Sequence, residues 1–344
     1  MNTKPLNLVF YSPSFLPTIG GLENVMYDWA FQLTQIGHKV LVITEREGDR
    51  TDDSFPFEVK RKLSQTKIWQ LMRKSDAVIH FNISLKAILP TLLSFKPFFV
   101  SHHSTLKDVH GKWTKLGQLK TFISNTFTRK NICCSNFVAS FLKNTTVVYS
   151  PYRPNIFSTI VPFEERKDDI VFAGRLVSDK GCEVLLQSLV VLRNKYGLSP
   201  KLTIAGNGDD KQKLESIARD NDLGNQVNFI GSITPKQMAL LLNSNKIMVV
   251  PSTWEEPFGI VALEGIAAGC IMLASNAGGL PEAVGNCGYL FEKGNADELA
   301  LLLQKLLTSS QKMDEEKAAK HLEHFTDSYT ANQFAEVVRA SIHR

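Results

Sequence analysis

The 344-residue sequence contains no apolar run of the roughly 18 residues that a spanning helix needs. Its first stretch, MNTKPLNLVFYSPSF, reaches a polar, Pro-containing turn after about six apolar-leaning positions, too few for a signal-peptide core. Of five cysteines, two are adjacent (Cys133 and Cys134) and none form a CxxC pair. A disulfide framework or zinc scaffold is therefore not expected, and a reduced cytosolic setting fits. Absence of a 20–50-residue repeat or low-complexity tract excludes a solenoid or a compositional linker protein. The dinucleotide fingerprint GxGxxG is missing as well: at AGNGDDKQ, residues 205 to 212, Lys211 stands where the third glycine belongs, so a nicotinamide enzyme loses its main support. The interleaved aromatics of an RNA-reading module are also absent.

What is present is an ordinary globular composition, 43% hydrophobic and 21% charged, in a chain long enough for two domains. Its charge is divided unevenly. Residues 1–150 hold 19 Lys+Arg against 10 Asp+Glu, whereas residues 151–344 hold 20 against 24. The basic half is either attracted to an anionic partner, such as a lipid surface or nucleic acid, or is a solvated face that aids solubility.

Apolar runs and helical periodicities alternate along the chain. LNLVFYS (6–12) precedes a segment with Leu22, Val25, Met26, Trp29, Leu33 and Ile36 at helical spacing, and KVLVIT (39–44) follows. AVIHFNI (77–83), FFVSHH (98–103) and NICCS (131–135) continue the series, which predicts a parallel sheet with helices on both faces. Residues 150–169, with their prolines and a charge run, read as a linker. The pattern then restarts with DIVFAGRL (169–176), a helix over about Cys182 to Tyr196, KLTIAG (201–206), VNFIGS (227–232), KIMVVPS (246–252) and CIMLAS (270–275). Two such domains facing one another would place the carboxyl ends of their strands around a shared cleft.

The chemistry concentrates at predicted strand ends. Gly20-Gly21, just ahead of a helix, either lets backbone N–H groups approach an anion or is simply a turn. In GRLVSDKG, Arg175 ends a strand and Lys180 precedes a helix, a placement where a diphosphate receives charge-assisted hydrogen bonds. In TWEEPFGIVALEG, the strand exit leads into a helix whose first amides, from Phe258, Gly259 and Ile260, attract phosphate oxygens. Glu256 and Glu264 flank this turn at a separation of roughly 8–12 Å, too wide for a retaining glycosidase pair and marginal for an inverting one. The spacing suits one ligand whose two polyhydroxylated ends flank a diphosphate.

PSTWEEPFGIVALEGIAAGC resembles the E-x7-E signature of retaining glycosyltransferases of the GT-B fold, family 4 type, and the similarity extends from GGLE through SHHST, GRLVSDKG, AGNGDD and VNFIGSI to AGGLPEAVGNCGYLF. The resemblance implies two Rossmann-like domains, residues 1–152 for the acceptor and 165–325 for the donor, with a C-terminal helix at about 329–344 crossing back to the first. It implies that Glu264 binds the ribose, that Glu256 faces the donor hexose, and that Arg175 and Lys180 hold the diphosphate with the amides of Phe258 to Ile260. It further implies that Gly20-Gly21 close over the donor and that His103 lies near the transferred sugar. The sequence departs from the family at VVYSPYRP, where an Asn-Gly turn is usual, and at Lys246, where Asp is common; neither falls on an implied contact.

Other residues compete for attention. Asp220-Asn221-Asp222 is a literal DxD, but following KLESIAR it reads as a helix end and not a magnesium site. His102, His103 and His110 could suggest a metal, yet adjacent residues on a strand point to opposite faces, so only one of the pair belongs in a cleft. Residues 105–130 mix large apolar side chains with lysines; they form either a core-packed helix with a basic solvent face or a segment lying in an anionic lipid interface.

The sequence thus points to a cytoplasmic hexosyltransferase, at most peripheral at the inner membrane face. It would use a UDP- or GDP-hexose, a saccharide or lipid-linked acceptor, no metal, no cofactor and no nucleic acid, and would serve glycolipid or surface polysaccharide synthesis. A sugar-nucleotide epimerase of the same architecture, a non-catalytic anionic-polymer binder and a glycoside hydrolase are the alternatives.

Overall fold

Strands that are apolar at consecutive positions need cover on both faces, which a parallel sheet between helices supplies. The computed structural model describes residues 4–18, 20–48, 52, 54–108 and 111–342, and its strands form two such sheets. The first contains β1 (Asn7–Ser12), β2 (Lys39–Thr44), β3 (Glu58–Arg61), β4 (Ala77–Phe81), β5 (Phe98–His102), β6 (Lys130–Cys133) and β7 (Thr145–Val147). They pair in parallel in the order β3-β2-β1-β4-β5-β6-β7. The second contains β8 (Asp168–Ala173), β9 (Leu202–Ala205), β10 (Val227–Gly231), β11 (Asn245–Val250), β12 (Ile271–Ser275) and β13 (Gly288–Phe291), parallel in the order β10-β9-β8-β11-β12-β13. The winding direction reverses between β1 and β4 and again between β8 and β11, and such switch points are where open α/β sheets bind ligands.

Two compact units result, each with its own sheet. One is built from the chain up to Asp108, Lys112–Pro151 and the chain from Phe325 onward; the other is Tyr152–His324. The helix Asp327–Ile342 belongs to the first unit, where it lies beside the helix Gly21–Gln35. Trp29 Nε1 donates to Thr330 Oγ1 at 3.0 Å, and Phe334 packs its ring 4.7 Å from Trp29 and 5.7 Å from Phe10. On the opposite face of this sheet, Val9, Tyr11, Ile43 and Val78 pack with Ile68, Met72 and Ala87.

Three short strands do not stand out in the sequence: β3 (EVKR), β7 (TTV) and β13 (GYLF). All three are sheet edges, paired on one side only, and at three or four residues each is too short to stand out as a strand. The stretch read as a linker is also different in kind. From Tyr152 it folds into the second unit, anchored by Arg166, which is 3% exposed and donates to the carbonyls of Asn245 at 2.9 Å and Ala268 at 2.6 Å.

Asp220 ends the helix Lys211–Asp220, Asn221 caps it, and Asp222 takes φ 55°, so the DxD tripeptide is a helix terminus. Within residues 105–130, Thr114 accepts from Gly117 N at 2.9 Å and starts the helix Lys115–Phe127. The helix packs into the core through Ile123, with Gly117 and Ser124 also buried, but its outer face is not basic alone, because Leu116, Leu119 and Phe122 point outward. No described helix is long and apolar enough to cross a membrane.

Candidate active site

β8 and β11 are neighbours at the switch point of the second sheet, so their exits lie side by side. After β8 comes Gly174-Arg175, then the short turn Ser178–Lys180 and Gly181 at φ 68°. A Cβ on Gly181 would collide with the carbonyl of Pro251, just past β11, so glycine is what allows the two exits to touch. Thr253 N donates to Asp179 O at 2.9 Å and fastens one exit to the other.

That contact brings Lys180 to Glu256. Lys180 Nζ lies 2.6 Å from Glu256 Oε1, and the Ser252 hydroxyl donates to the same oxygen at 2.6 Å. Ser275 Oγ in turn donates to the Ser252 carbonyl at 2.7 Å. Glu256 is 7% exposed, and a carboxylate so buried is tolerable only when paired and hydrogen-bonded, as it is here. Lys180 also lies 5.7 Å from the centre of the Trp254 ring.

The turn carrying Glu256 is held from its other side by Ala277-Gly278-Gly279. Gly278 N donates to Glu255 Oε2 at 2.6 Å, Gly279 N donates to Glu256 O at 2.7 Å, and Lys293 pairs with Glu255 at 2.5 Å. The chain then reverses at Gly259, φ 113°, and enters the helix Ile260–Ala267, whose start no side chain caps. Phe258 is 2% exposed, so its ring is core and only its backbone faces the turn. Glu264 is partly exposed in the second turn. Arg175 is exposed and makes no hydrogen bond or ion pair with any described residue, which leaves its guanidinium open to an anion.

In the first unit, Gly20 caps the helix Gly21–Gln35 in an extended conformation with no side-chain hydrogen bond. A Cβ at Gly20 would strike the Glu23 carboxylate, so this glycine makes room for an acid in the first turn. His103 N donates to Asn82 Oδ1 at 2.8 Å, and its ring nitrogens meet Ser101 Oγ at 2.8 Å and Ser150 Oγ at 3.2 Å. The ring stacks on Phe81 at 5.8 Å and meets Trp29 edge-on at 5.7 Å. His102 turns the other way, to Asn131 Oδ1 at 2.9 Å, as alternation along a strand requires. Burial, then the neighbouring His102, pushes His103 down to about 3; burial, partly offset by the Asn131 bond, pushes His102 down to about 4. A neutral imidazole at pH 7 can hydrogen-bond a hydroxyl but holds a proton poorly. His110 lies outside the described residues.

Lys180 and Glu256 are thus in direct contact, and Arg175, Phe258, Gly259, Ile260 and Glu264 occupy the same two strand exits and the helix they feed. Gly20, Gly21 and His103 occupy the carboxyl ends of β1 and β5 in the first unit. Sequence reasoning missed Ser252 and Glu255. A serine four residues before Glu256 is the only signal for the first, and Glu255 is hidden by its more conspicuous neighbour.

Two doubly wound parallel sheets, each with polar groups at its switch-point exits, define the GT-B class of architecture. Within that class, residues 19–150 match the family model described as Glycosyltransferase Family 4, and residues 156–321 match Glycosyl transferases group 1. The chain belongs to this family of glycosyltransferases. It is 32% identical over 177 residues to an uncharacterised glycosyltransferase of Methanocaldococcus jannaschii, covering 47% of this chain and 44% of the relative. It is 24% identical over 344 aligned positions to the gpi3 subunit of the phosphatidylinositol N-acetylglucosaminyltransferase of Schizosaccharomyces pombe, covering 86% of this chain and 72% of that one. The chain spans about half the length of several curated relatives it matches, among them a glycogen synthase of Mycobacterium tuberculosis at 49%. Among solved structures it is similar to HepE of Anabaena in complex with UDP and glucose, with TM-score 0.82, 20% identity, and coverage of 97% of this chain and 99% of that one. A glycosyltransferase of Rickettsia africae gives TM-score 0.82 at 18% identity with 99% of both chains covered. At these identities the likeness shows the fold.

Proposed function

We propose that the protein is a retaining hexosyltransferase that moves a hexose from a UDP- or GDP-hexose to a hydroxyl of a saccharide or lipid-linked acceptor, in glycolipid or surface polysaccharide synthesis. The observation that carries this reading is the buried Lys180–Glu256–Ser252 cluster, with the open Arg175 and the helix start at Gly259 beside it. Arg175, Lys180 and the amides of Phe258 to Ile260 would take the charge that builds on the leaving diphosphate. Glu264 would hold the ribose hydroxyls and Glu256 the hexose. Attack from the face that the diphosphate leaves lets a leaving phosphate oxygen accept the acceptor proton, so no side-chain base is needed. His103, neutral and flanked by hydroxyls, fits a hydrogen-bonding role toward the sugar, and Gly20-Gly21 a backbone role toward the donor. The UDP and glucose bound to HepE support a nucleotide-sugar donor, and the name of the Schizosaccharomyces pombe relative supports a lipid acceptor.

Incubation with a panel of UDP- and GDP-sugars, with and without membrane extract, tests this. Glu264→Ala should chiefly raise the donor Kd, because the ribose is unchanged during reaction. Glu256→Ala should chiefly lower turnover, by about 100-fold or more on the scale of one lost transition-state contact. Equal effects of the two changes on donor affinity alone would refute the assignment. Release of free sugar and nucleotide without any acceptor would favour the epimerase.

A further inference from the structure

The first unit has a face that the proposed chemistry does not use. The crossovers from β4 to β5 and from β5 to β6 run in the same direction, so right-handed connections put the helices Ile88–Leu93 and Lys115–Phe127 on the same side of the sheet. Ile88 and Ile123 accordingly pack into one apolar cluster with Phe98 and Val100. What these helices turn outward is apolar. Leu89 is 65% exposed, Leu93 49% and Phe95 88%, while Leu116, Leu119 and Phe122, spaced three apart, are 52%, 47% and 60% exposed. Phe95 holds its ring in solvent at φ 56°, a backbone region a bulky residue rarely adopts. Single exposed leucines are ordinary, but a run of this kind on two neighbouring helices marks a binding surface.

The charge around it selects the occupant. Residues 84–130 contain eight Lys+Arg and one Asp+Glu. Protein interfaces are depleted of lysine, whereas a helix that combines lysines with outward Leu, Phe and Trp is the composition that lies in an anionic lipid interface. Lys112, Lys115 and Lys120 surround the Leu116–Phe122 stripe, and Lys107 sits 5.6 Å from the ring centre of Trp113, itself exposed. A cavity of about 240 Å³ is lined both by Leu116, Lys120 and Lys107 of this face and by Asn82 and His102 at the carboxyl ends of β4 and β5.

We propose that the face formed by these two helices docks the first unit on an anionic lipid bilayer, with Leu89, Phe95, Leu119 and Phe122 entering the acyl boundary and the lysines at the headgroups. Resting on the glycosyl-transfer reading, this makes the acceptor a molecule borne by that bilayer, reaching the strand ends through the cavity beside Leu116. The full chain should co-sediment with vesicles of phosphatidylglycerol and phosphatidylcholine at least tenfold more strongly than with pure phosphatidylcholine, and less strongly as salt is raised. Leu119→Glu/Phe122→Glu should reduce binding at least tenfold without changing the circular dichroism spectrum. Lys115→Gln/Lys120→Gln should reduce it about 25-fold, near fivefold per lysine. Leu240→Glu, at an equally exposed leucine of the second unit, should change nothing. Absent binding, equal binding to neutral vesicles, or a dimer in light scattering that Leu119→Glu/Phe122→Glu dissolves would overturn the proposal. Turnover of the UDP- and GDP-sugar panel with membrane extract as the acceptor source separates the two readings. Turnover without vesicle binding sinks the membrane face alone, and vesicle binding without turnover supports it while sinking glycosyl transfer.

Discussion

At the scale of single residues, Glu256 is aimed by groups from two places, Lys180 after β8 and Ser252 after β11. The spacing of charges in GRLVSDKG and TWEEPFG makes Lys180 and Glu256 conspicuous in the sequence. Ser252 is invisible there, because a serine acquires meaning only when the loop folds its hydroxyl back onto residue i+4. Ser252 is 1% exposed, its carbonyl is held by Ser275, and its hydroxyl donates to Glu256 Oε1. A hydrogen bond to a charged group contributes about 1.5–3 kcal/mol, so Ser252→Ala should lower kcat about 10- to 100-fold while leaving the donor KM nearly unchanged. Ser252→Thr, which keeps the hydroxyl, should restore most of it. A raised KM with kcat intact, or no rescue by threonine, would remove Ser252 from the positioning of Glu256.

At the scale of elements, the long central strands are legible because burial on both faces demands consecutive apolar residues, as in AVIHF and KIMVV. Three of the four edge strands, β3, β7 and β13, escape because they are short and paired on one side only, whereas the fourth, β10, shows in VNFIGS. The helix Lys115–Phe127 is legible as a helix but not in its orientation, since Leu116, Leu119 and Phe122 look like core residues until the sheet is seen to be covered by Ile123 and Gly117 instead. Loop contacts are the least legible. Gly278 and Gly294 both take positive φ, 60° and 81°, yet a Cβ on Gly278 would strike the Glu256 carbonyl while one on Gly294 would meet nothing within 4 Å. Strain from the left-handed backbone costs about 1–2 kcal/mol for either alanine. Gly278→Ala should therefore destabilise the second unit by clearly more than Gly294→Ala in urea unfolding, and only Gly278→Ala should weaken donor binding. Matching losses in the two variants would mean that the approach of this loop to Glu256 is not tight.

At the scale of the whole chain, the first unit is completed by residues that come last. The apolar stripe of the helix Asp327–Ile342 is plain from its periodicity, but a stripe does not say what it covers; only the resemblance to a family implied the return to the first domain. Phe334 is fully buried against Phe10 of β1 and Trp29 of the helix Gly21–Gln35, and Trp29 is tied again to Thr330 across 301 positions of chain. Removing a buried phenylalanine side chain costs about 3–5 kcal/mol through lost burial and the cavity left behind. Phe334→Ala should remove stability of that order from the first unit. Amide exchange should accelerate in β1 and β4 while β8 and β11, in the other unit, keep their protection. Equal acceleration in both units would show that they unfold as one, and no acceleration in β1 would show that the terminal helix contributes nothing to the sheet it covers.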